Sequence, residues 1–249
     1  PRLAAATGAE GVFWNRCYEP WRIARDKKIK SALRQVGVRA ESRNGSLLWE
    51  PDEVLKADGT PYRVFTPYYR RGCLEATPPR KPLPEPGKLD LIDRPADAPA
   101  VPDLGLLPKI RWDEQLEPHW AIGEKGAAER LATFLEEGLP HYKGGRDLPA
   151  KPYVSRLSPH LHWGEVSPHT VWHATADRAS DPNVDHFRSE LGWREFSHSL
   201  LWHFPQLPRE NLQAKFDRFP WKDDPDAVAA WQEALAVNLS DIAAMGGTA

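Results

Sequence analysis

Hydroxyl, guanidinium and imidazole groups are concentrated in the loop-rich segment from Leu139 to Pro168. Within it, Ser155, Arg156 and Ser158 place two hydroxyls and one guanidinium within four residues, next to a predicted helix start. Such groups, together with the backbone N–H groups at a helix start, suit a phosphate or pyrophosphate. The alternative interpretation is that Ser155 and Ser158 only cap the following helix. The sequence therefore predicts either an anion site or a pair of capping residues.

A second group of candidate side chains lies between Ser189 and Pro205, in the stretch SELGWREFSHSLLWHFP. On a helix, Glu190 and Arg194 are four residues apart and can form an ion pair, with Trp193 on nearly the same side. One interpretation is an exposed ion pair beside a core tryptophan, worth about 0.3–0.5 kcal/mol. The other is a ligand wall made of an aromatic plane, a carboxylate acceptor and a fixed cation.

Several common catalytic motifs are absent from the sequence. There is no GxSxG, GxxxxGK[ST] or GxGxxG, so the usual hydrolase, P-loop and dinucleotide interpretations have no motif to support them. His169 and His173 are four residues apart, but no third ligand of matching spacing accompanies them, so no metal site is predicted. Cys17 and Cys73 form no CxxC pair, which favours a reducing compartment, and we expect a cytoplasmic location.

The composition indicates a globular protein without a membrane-spanning segment. The chain has 249 residues, of which 41% are hydrophobic and 27% charged, and no run of eighteen apolar residues occurs. The formal net charge of −2 means that any nucleic-acid binding must come from a local basic patch. The opening PRLAAATGAEGVFWN has no initial Met and is interpreted as a helix end, a turn and a strand. We therefore expect a fragment whose first residue lies within a domain. We also expect the protein to be a monomer.

The first part of the chain has the pattern of a parallel α/β domain. GVFWN at residues 11–15 is a short apolar run suited to a buried strand, and Pro20 suits the first turn of the next helix. Gly37 ends that helix, and VRAESRN follows as a second strand. A strand, a helix and a strand within about thirty residues predict a βαβ unit. Thr66 and Pro67 predict the cap and first turn of another helix.

A proline-rich segment separates this region from a helical one. Nine prolines lie between Ala76 and Trp112, which excludes regular helix or central strand and predicts an extended connector between domains. After Ala121 the pattern is helical, with the amphipathic GEKGAAERLATFLEEGL and with SPHTVWHATAD, which begins with a cap and first-turn pair. The predicted fold is part of a Rossmann-like parallel α/β domain at 1–75, a connector at 76–112 and an all-α domain at 113–249.

These stretches resemble a known family. YKGGRDLPAKPYVSRLSPHLHWGEVSP and SELGWREFSHSLLWHFP resemble the flavin-binding core of the DNA photolyase/cryptochrome family. In that family Tyr-x-x-x-Arg-Asp and Thr-Ser-x-Leu-Ser-Pro-x-Leu-x-x-Gly precede a helix with Glu-Leu-x-Trp-Arg-Glu-Phe. VFWNRCYEPWRIARDKKIK and GTPYRVFTPYYR are similar to the N-terminal α/β domain. The resemblance runs from Gly11 to about Gln232 and indicates a class I-type cyclobutane pyrimidine dimer photolyase.

The resemblance implies an FAD site and a site for damaged DNA. Arg146, Glu190 and Trp193 are the implied DNA contacts, and Glu190 and Trp193 are expected to line the pocket of the flipped dimer and to act in its repair. Val154 stands where the family has Thr, and Phe187 where it often has Trp. The implied FAD contacts are Tyr142, Val154, Ser155, Arg156, Leu157, Ser158, Phe187, Glu190 and Arg194. A second antenna chromophore is also implied, either a folate or a deazaflavin.

The implied activity is that of a deoxyribodipyrimidine photolyase, a carbon–carbon lyase. In this family, light-excited reduced FAD passes an electron to a pyrimidine dimer in DNA, the ring splits and the electron returns. A cryptochrome-type blue-light receptor and a non-catalytic DNA-binding fragment remain alternatives. After about residue 233 the family pattern is replaced by ALAVNLSDIAAMGGTA. We therefore expect a truncated helical domain with an incomplete flavin cavity, which alone binds FAD weakly or not at all.

Overall fold

The computed structural model describes residues 1–91, 100–108, 110–148, 150–220 and 222–231. Two strands and a set of helices account for its regular structure, and short 3-10 and π-helical turns connect many of them. The strands are β1 (Gly11–Asn15) and β2 (Arg39–Arg43). The helices are α1 (Arg2–Thr7), α2 (Pro20–Gln35), α3 (Phe65–Pro67), α4 (Glu124–Thr133), α5 (Tyr142–Gly145), α6 (Ser158–Trp163), α7 (Pro168–His173) and α8 (Pro182–His203). Residues 225–231 are also helical.

The first elements form the βαβ unit that the sequence predicts. Pro20 begins α2, because its ring presets the backbone angle of a first helical turn. Gly37 follows the helix with a φ of 77°, a conformation that glycine adopts without steric cost. β1 and β2 pair in parallel, with Gly11 opposite Arg39 at the start of the register. The small core of this unit contains Ala4, Leu33 and Ala40.

The long helix α8 packs into a second core, which lies beside the candidate site. The Asp181 carboxylate caps it by accepting from the Asn183 backbone N–H, and Pro182 occupies the first turn. Its buried residues recur at helical spacing, as expected of a helix with one face on a core. They are Val184, Phe187, Leu191, Gly192, Glu195, Phe196 and Ser199. The same core contains Trp49, Tyr68, Tyr69, Leu131, Phe134, Leu139 and Val171.

Helix starts follow the sequence signals where a capping side chain is present. The Ser167 hydroxyl accepts from the Thr170 backbone N–H and caps α7, so that predicted start is confirmed. The helix predicted from Thr66 instead begins at Phe65, without a capping side chain, and continues as π-helical turns. Within the described ranges, no helix is long and apolar enough to cross a membrane.

The chain divides into two compact units. The first contains residues 1–82 and 127–218, and therefore the βαβ unit and most of the helices. The second contains, of the described residues, those within 83–126 and 219–231. Residues 83–91 form no helix or strand, as their prolines predict. The predicted domain boundaries at 75/76 and 112/113 stay predictions, and the divergent segment after residue 233 lies outside the described residues.

Candidate functional site

A cavity of about 410 Å³ lies within the first unit, lined by α8, by the segment that follows β1 and by the loop before α6. Its volume falls in the range of about 300–1,000 Å³ that is usual for small-molecule sites. Polar groups of both charges and several rings line it. The polar lining residues are Arg16, Glu19, Arg22, Ser46, Ser155, Ser158, His162, Glu190, Arg194 and His198. The larger apolar or aromatic ones are Tyr18, Tyr142, Leu157, Leu161, Phe187 and Leu191.

One face of α8 supplies a wall of this cavity. Phe187, Glu190, Leu191, Arg194 and His198 all line it, and each lies three or four residues from another of the set, which places them on successive turns of one helix face. A carboxylate, a guanidinium and an imidazole therefore project from one rigid element. The carboxylate and the cation of the ligand-wall interpretation are therefore present in this wall, whereas its aromatic plane, Trp193, is not among the described lining residues.

Glu190 and Arg194 do not pair with each other, so the ion pair expected from their helical spacing is wrong. Arg194 donates from Nη1 to the Ser46 carbonyl and lies 3.5 Å from the Glu195 carboxylate. Burial lowers the pKa of the Arg194 guanidinium, and the nearby Glu195 carboxylate opposes that shift. Glu190 instead forms an ion pair with Arg146 of the segment after α5. The two side chains are held separately, each by a partner from elsewhere in the chain.

Arg146 lies at the edge of the site beside Glu190. Its guanidinium donates to the Glu190 carboxylate, and this hydrogen bond raises the pKa of Arg146. The same group lies 5.7 Å from the centre of the Tyr142 ring and 3.4 Å from His186 Nε2. Tyr142 lines the cavity and is 7% exposed, and burial raises the pKa of its hydroxyl. Arg146, a predicted DNA contact, thus interacts with Glu190 and Tyr142, two of the predicted FAD contacts.

Glu195 is a buried acid that the sequence did not single out. It is 1% exposed, and its Oε2 accepts from the backbone N–H groups of Leu48 and Trp49 at 2.9 and 3.3 Å. Burial raises the pKa of its carboxyl to about 8, against the opposing effects of Arg194 and the two backbone donors. Glu195 therefore fixes the 46–49 loop, whose Ser46 carbonyl holds Arg194. The sequence gives no signal for this role, because both donors lie almost 150 residues away.

The loop before α6 presents hydroxyl groups to the cavity. Arg156 has a φ of 53°, a left-handed conformation that is unusual for a residue with a side chain. Around it the chain turns so that Ser155 and Ser158 both line the cavity. Leu157, not a serine, precedes α6, and no side chain caps that helix in the described structure. The capping interpretation of the two serines is therefore wrong, although the Ser155 hydroxyl accepts from the Leu157 backbone N–H at 3.4 Å, and both serines line the space that a ligand would fill.

Trp193, Val154 and Arg156 lie outside the set of described residues that line the cavity. The Trp193 ring is 46% exposed and stacks on Phe65 of α3, with ring centres 3.7 Å apart and planes 11° apart. One face of the indole is thus covered by Phe65, while nearly half of the side chain meets solvent. Val154 is 39% exposed, and the Arg156 side chain is also exposed.

The segment after β1 brings two further arginines to the cavity. Arg16 pairs with Glu50 at 2.8 Å, and Arg22 pairs with Glu19 at 3.3 Å. The Arg22 Nε is buried without a hydrogen-bond partner among the described residues, which leaves one donor for a ligand oxygen. The signal that could have found Arg16 is its position directly after a parallel strand, where ligand sites in α/β folds collect.

The described residues contain no cluster of three or more side chains suited to a metal ion. His173 is hydrogen bonded through Nε2 to the carbonyl oxygens of Pro79 and Arg80. His169 is 2% exposed, and burial lowers the pKa of its imidazole to about 4. These histidines belong to the packing of α7.

Comparison with known proteins identifies the family to which the chain belongs. The family model for DNA photolyase matches residues 1–87, and the one for the FAD binding domain of DNA photolyase matches residues 187–236. A deoxyribodipyrimidine photo-lyase of Agrobacterium fabrum is 40% identical over 94% of this chain and 49% of its own length. The chain belongs to the DNA photolyase/cryptochrome family.

The relatives extend well beyond the matched region. A crystal structure of a bacterial class III photolyase from Agrobacterium tumefaciens aligns with a TM-score of 0.82 and 40% identity, over 92% of this chain and 48% of that one. Cryptochrome-2 of Arabidopsis thaliana is 29% identical over 91% of this chain and 39% of its own length. The chain thus spans about half the length of the relatives it matches, and this α/β plus helical fold is shared with them.

Proposed function

We propose that the protein is a deoxyribodipyrimidine photolyase, which uses FAD and light to split cyclobutane pyrimidine dimers in DNA. The observation that carries the proposal is the cavity itself, which Glu190 and Arg194 of α8 line together with Ser155 and Ser158. A carboxylate, a guanidinium and two hydroxyls around one cavity suit a dinucleotide that has a diphosphate and a polar ring system.

The residues of the cavity fit a flavin dinucleotide. Arg22 has a buried donor without a partner among the described residues, and the Ser155 and Ser158 hydroxyls line the same space, so these groups suit phosphate oxygens. Arg194 is held by the Ser46 carbonyl at a fixed place on the wall and suits the polar edge of the ring system. Tyr142, Leu157 and Phe187 form apolar surfaces of the cavity. Val154 and Arg156 stay proposed contacts.

Bound reduced FAD supplies the light-driven electron transfer that opens the dimer. The chain's own residues bind and orient the two reacting molecules. A dimer must be flipped out of the duplex, at a cost of a few kcal/mol that is lowest for a poorly paired base. Trp193 offers an exposed indole face for the flipped base, and such stacking contributes about 1–3 kcal/mol. Glu190, held by Arg146, accepts hydrogen bonds from the pyrimidine edge.

The subclass and the accessory features belong to the same proposal. The motifs indicate a class I-type enzyme, whereas the 40% identity to a class III photolyase favours class III, and we propose the latter. We also propose a second antenna chromophore, either a folate or a deazaflavin, and assign no binding residues to it. The monomeric state and the cytoplasmic location stay predictions.

A blue-light receptor of the cryptochrome type is the second candidate, because Cryptochrome-2 is among the relatives. A repair enzyme needs a surface that binds the DNA lesion, whereas a light receptor does not. The exposed indole of Trp193 beside the Glu190–Arg146 pair favours repair, since a receptor has no need to hold a flipped dimer.

Light-dependent loss of dimers from irradiated DNA tests the proposal. The chain is mixed with FAD, a reductant and DNA, and dimers are counted after illumination and in matched dark samples. We expect a loss in the light only, and Trp193→Ala weakens dimer binding by about 5- to 150-fold, which corresponds to about 1–3 kcal/mol of stacking. Trp163→Ala is the matched control, because Trp163 is 76% exposed and outside the cavity lining. Dimers that persist in the light at saturating protein and FAD would contradict the proposal.

A further inference from the structure

The 46–49 loop, which follows β2, holds Arg194 at the cavity from outside α8. Ser46 lines the cavity, and its carbonyl oxygen accepts from Arg194 Nη1. The same Nη1 lies 3.5 Å from Glu195 Oε1. Glu195 is buried and lies outside the described cavity lining, so of these two acceptors only the Ser46 carbonyl draws the guanidinium toward the cavity. The direction of that carbonyl therefore decides where the Arg194 guanidinium lies.

Asn44 sets the direction of the Ser46 carbonyl. Its Oδ1 accepts from the backbone N–H groups of Ser46 and Leu47, at 3.2 and 2.9 Å. Asparagine side chains often close turns in this way, with the backbone that follows them. The Leu47 N–H and the Ser46 carbonyl belong to one peptide unit, which is planar and trans, so they point in opposite directions. Asn44 on one side of this unit thus turns the carbonyl toward Arg194 on the other.

The other contacts of the loop do not orient this peptide unit. Leu47, Leu48 and Trp49 are buried, which fixes their side chains, but the hydrophobic effect has no direction. A hydrogen bond, in contrast, weakens steeply when it bends. Glu195 Oε2 accepts from the N–H groups of Leu48 and Trp49 and so orients the two following peptide units. In the described structure, the hydrogen bonds of the unit between Ser46 and Leu47 are those with Asn44 and Arg194.

We propose that Asn44 is a positioning residue of the candidate flavin site, which acts through the Ser46 carbonyl to hold the Arg194 guanidinium at the cavity wall. This inference rests on the proposed function, because FAD is the ligand that Arg194 is proposed to contact. Asn44 itself lies outside the described cavity lining and acts without touching the ligand. A guanidinium that is already fixed binds more tightly than a free one, because it loses less rotamer freedom on binding.

The reactivity of Arg194 toward phenylglyoxal tests this positioning without any ligand. The reagent modifies guanidinium groups, and peptide mass spectrometry gives the rate at each arginine. Asn44→Ala and Asn44→Leu should free Arg194 and raise its rate, whereas Asn44→Asp should keep the wild-type rate, because a carboxylate also accepts from both N–H groups. Asp58→Ala is the matched control, because Asp58 Oδ1 accepts from the Thr60 backbone N–H in a similar turn outside the described cavity lining. Exposed Arg34 of α2 gives the internal reference rate.

A double-mutant cycle on FAD affinity tests whether the effect of Asn44 passes through Arg194. Isothermal titration with FAD is carried out on the wild type, Asn44→Ala, Arg194→Ala and the double variant. Asn44→Ala alone should weaken FAD binding by about tenfold, the effect of one hydrogen bond from a charged group. In the Arg194→Ala background it should have no further effect, because the group that Asn44 positions is gone. A general loosening of the fold would instead weaken binding in both backgrounds.

The outcomes separate the role of Asn44 from the proposed function. An Arg194 rate that is the same in wild type and Asn44→Ala overturns the positioning role, as does a raised rate that Asn44→Asp retains. Equal losses of FAD affinity in the two backgrounds of the cycle also overturn it. A wild-type chain that binds no FAD contradicts the proposed function, and a faster Arg194 in Asn44→Ala then still supports the positioning of the guanidinium. Cooperative thermal unfolding above the assay temperature shows that each variant is folded.

Discussion

Glu195→Gln should remove a pH dependence of stability that the wild-type protein shows between about pH 4.5 and 8. The carboxyl is 1% exposed, and its burial raises the pKa from an ordinary 4.5 to about 8. Glutamine has nearly the same shape, and its amide oxygen can accept from the same backbone N–H groups of Leu48 and Trp49. The substitution therefore removes the ionisable carboxyl group but keeps the hydrogen bonds that fix the 46–49 loop.

The sign follows from the raised pKa. Between pH 4.5 and 8 the folded protein retains a proton on Glu195 that the unfolded chain has released, so the free energy of unfolding falls as the pH rises. Each pH unit in this window costs up to about 1.4 kcal/mol. From pH 5 to pH 8 the wild type therefore loses up to about 4 kcal/mol from this group, and Glu195→Gln loses none of it.

Urea unfolding at pH 5, 6, 7 and 8 measures this difference. The free energies of wild type and Glu195→Gln should diverge steadily as the pH rises, with the variant becoming relatively more stable and the urea dependence unchanged. Glu137→Gln serves as the matched control, because Glu137 is an exposed acid of the same chain. Parallel curves for Glu195→Gln and wild type would refute the assignment of a raised pKa to Glu195.

Three further substitutions test the packing around the site. Phe65→Leu uncovers the second face of Trp193, so the Trp193 fluorescence should shift to longer wavelength and be quenched more strongly by acrylamide. The Trp193 contribution is the difference between spectra recorded with and without the additional substitution Trp193→Phe. Arg156→Val should destabilise the protein by about 1–2 kcal/mol in urea unfolding and Arg156→Gly should be nearly neutral, because φ is 53° there. Gly192→Ala should cost about 1–3 kcal/mol by the same measurement, because the added Cβ would overlap the Tyr69 ring.

The elements with strong local signals could be predicted from the sequence. Pro20 and Gly37 bound α2, and the apolar run GVFWN before it and the stretch VRAESRN after it give the parallel pair β1 and β2. Ser167 caps α7 as predicted. The start of α3 was set too late, because that helix begins at Phe65 without a capping side chain, and a π-helical continuation has no sequence signature.

The candidate site was predictable only in part. The spacing and the family resemblance drew attention to Glu190, Arg194, Ser155 and Ser158, and these residues line one cavity. Their partners were not predictable, because Arg146 lies 44 residues from Glu190 and Ser46 lies 148 residues from Arg194. Local periodicity carries no information about contacts at that separation, so the helix-internal ion pair was the only partner that spacing could suggest.

The binding of FAD to the chain tests the central claim most directly. The sequence leaves open whether the chain alone binds FAD weakly or not at all, and the cavity favours binding, so isothermal titration of the purified chain with FAD should give saturable one-to-one binding. Ser158→Ala and Arg194→Ala should weaken it, while Arg34→Ala on exposed α2 should not. Absence of saturable binding, or equal affinities for wild type and all three variants, would contradict the assignment of this cavity to a flavin.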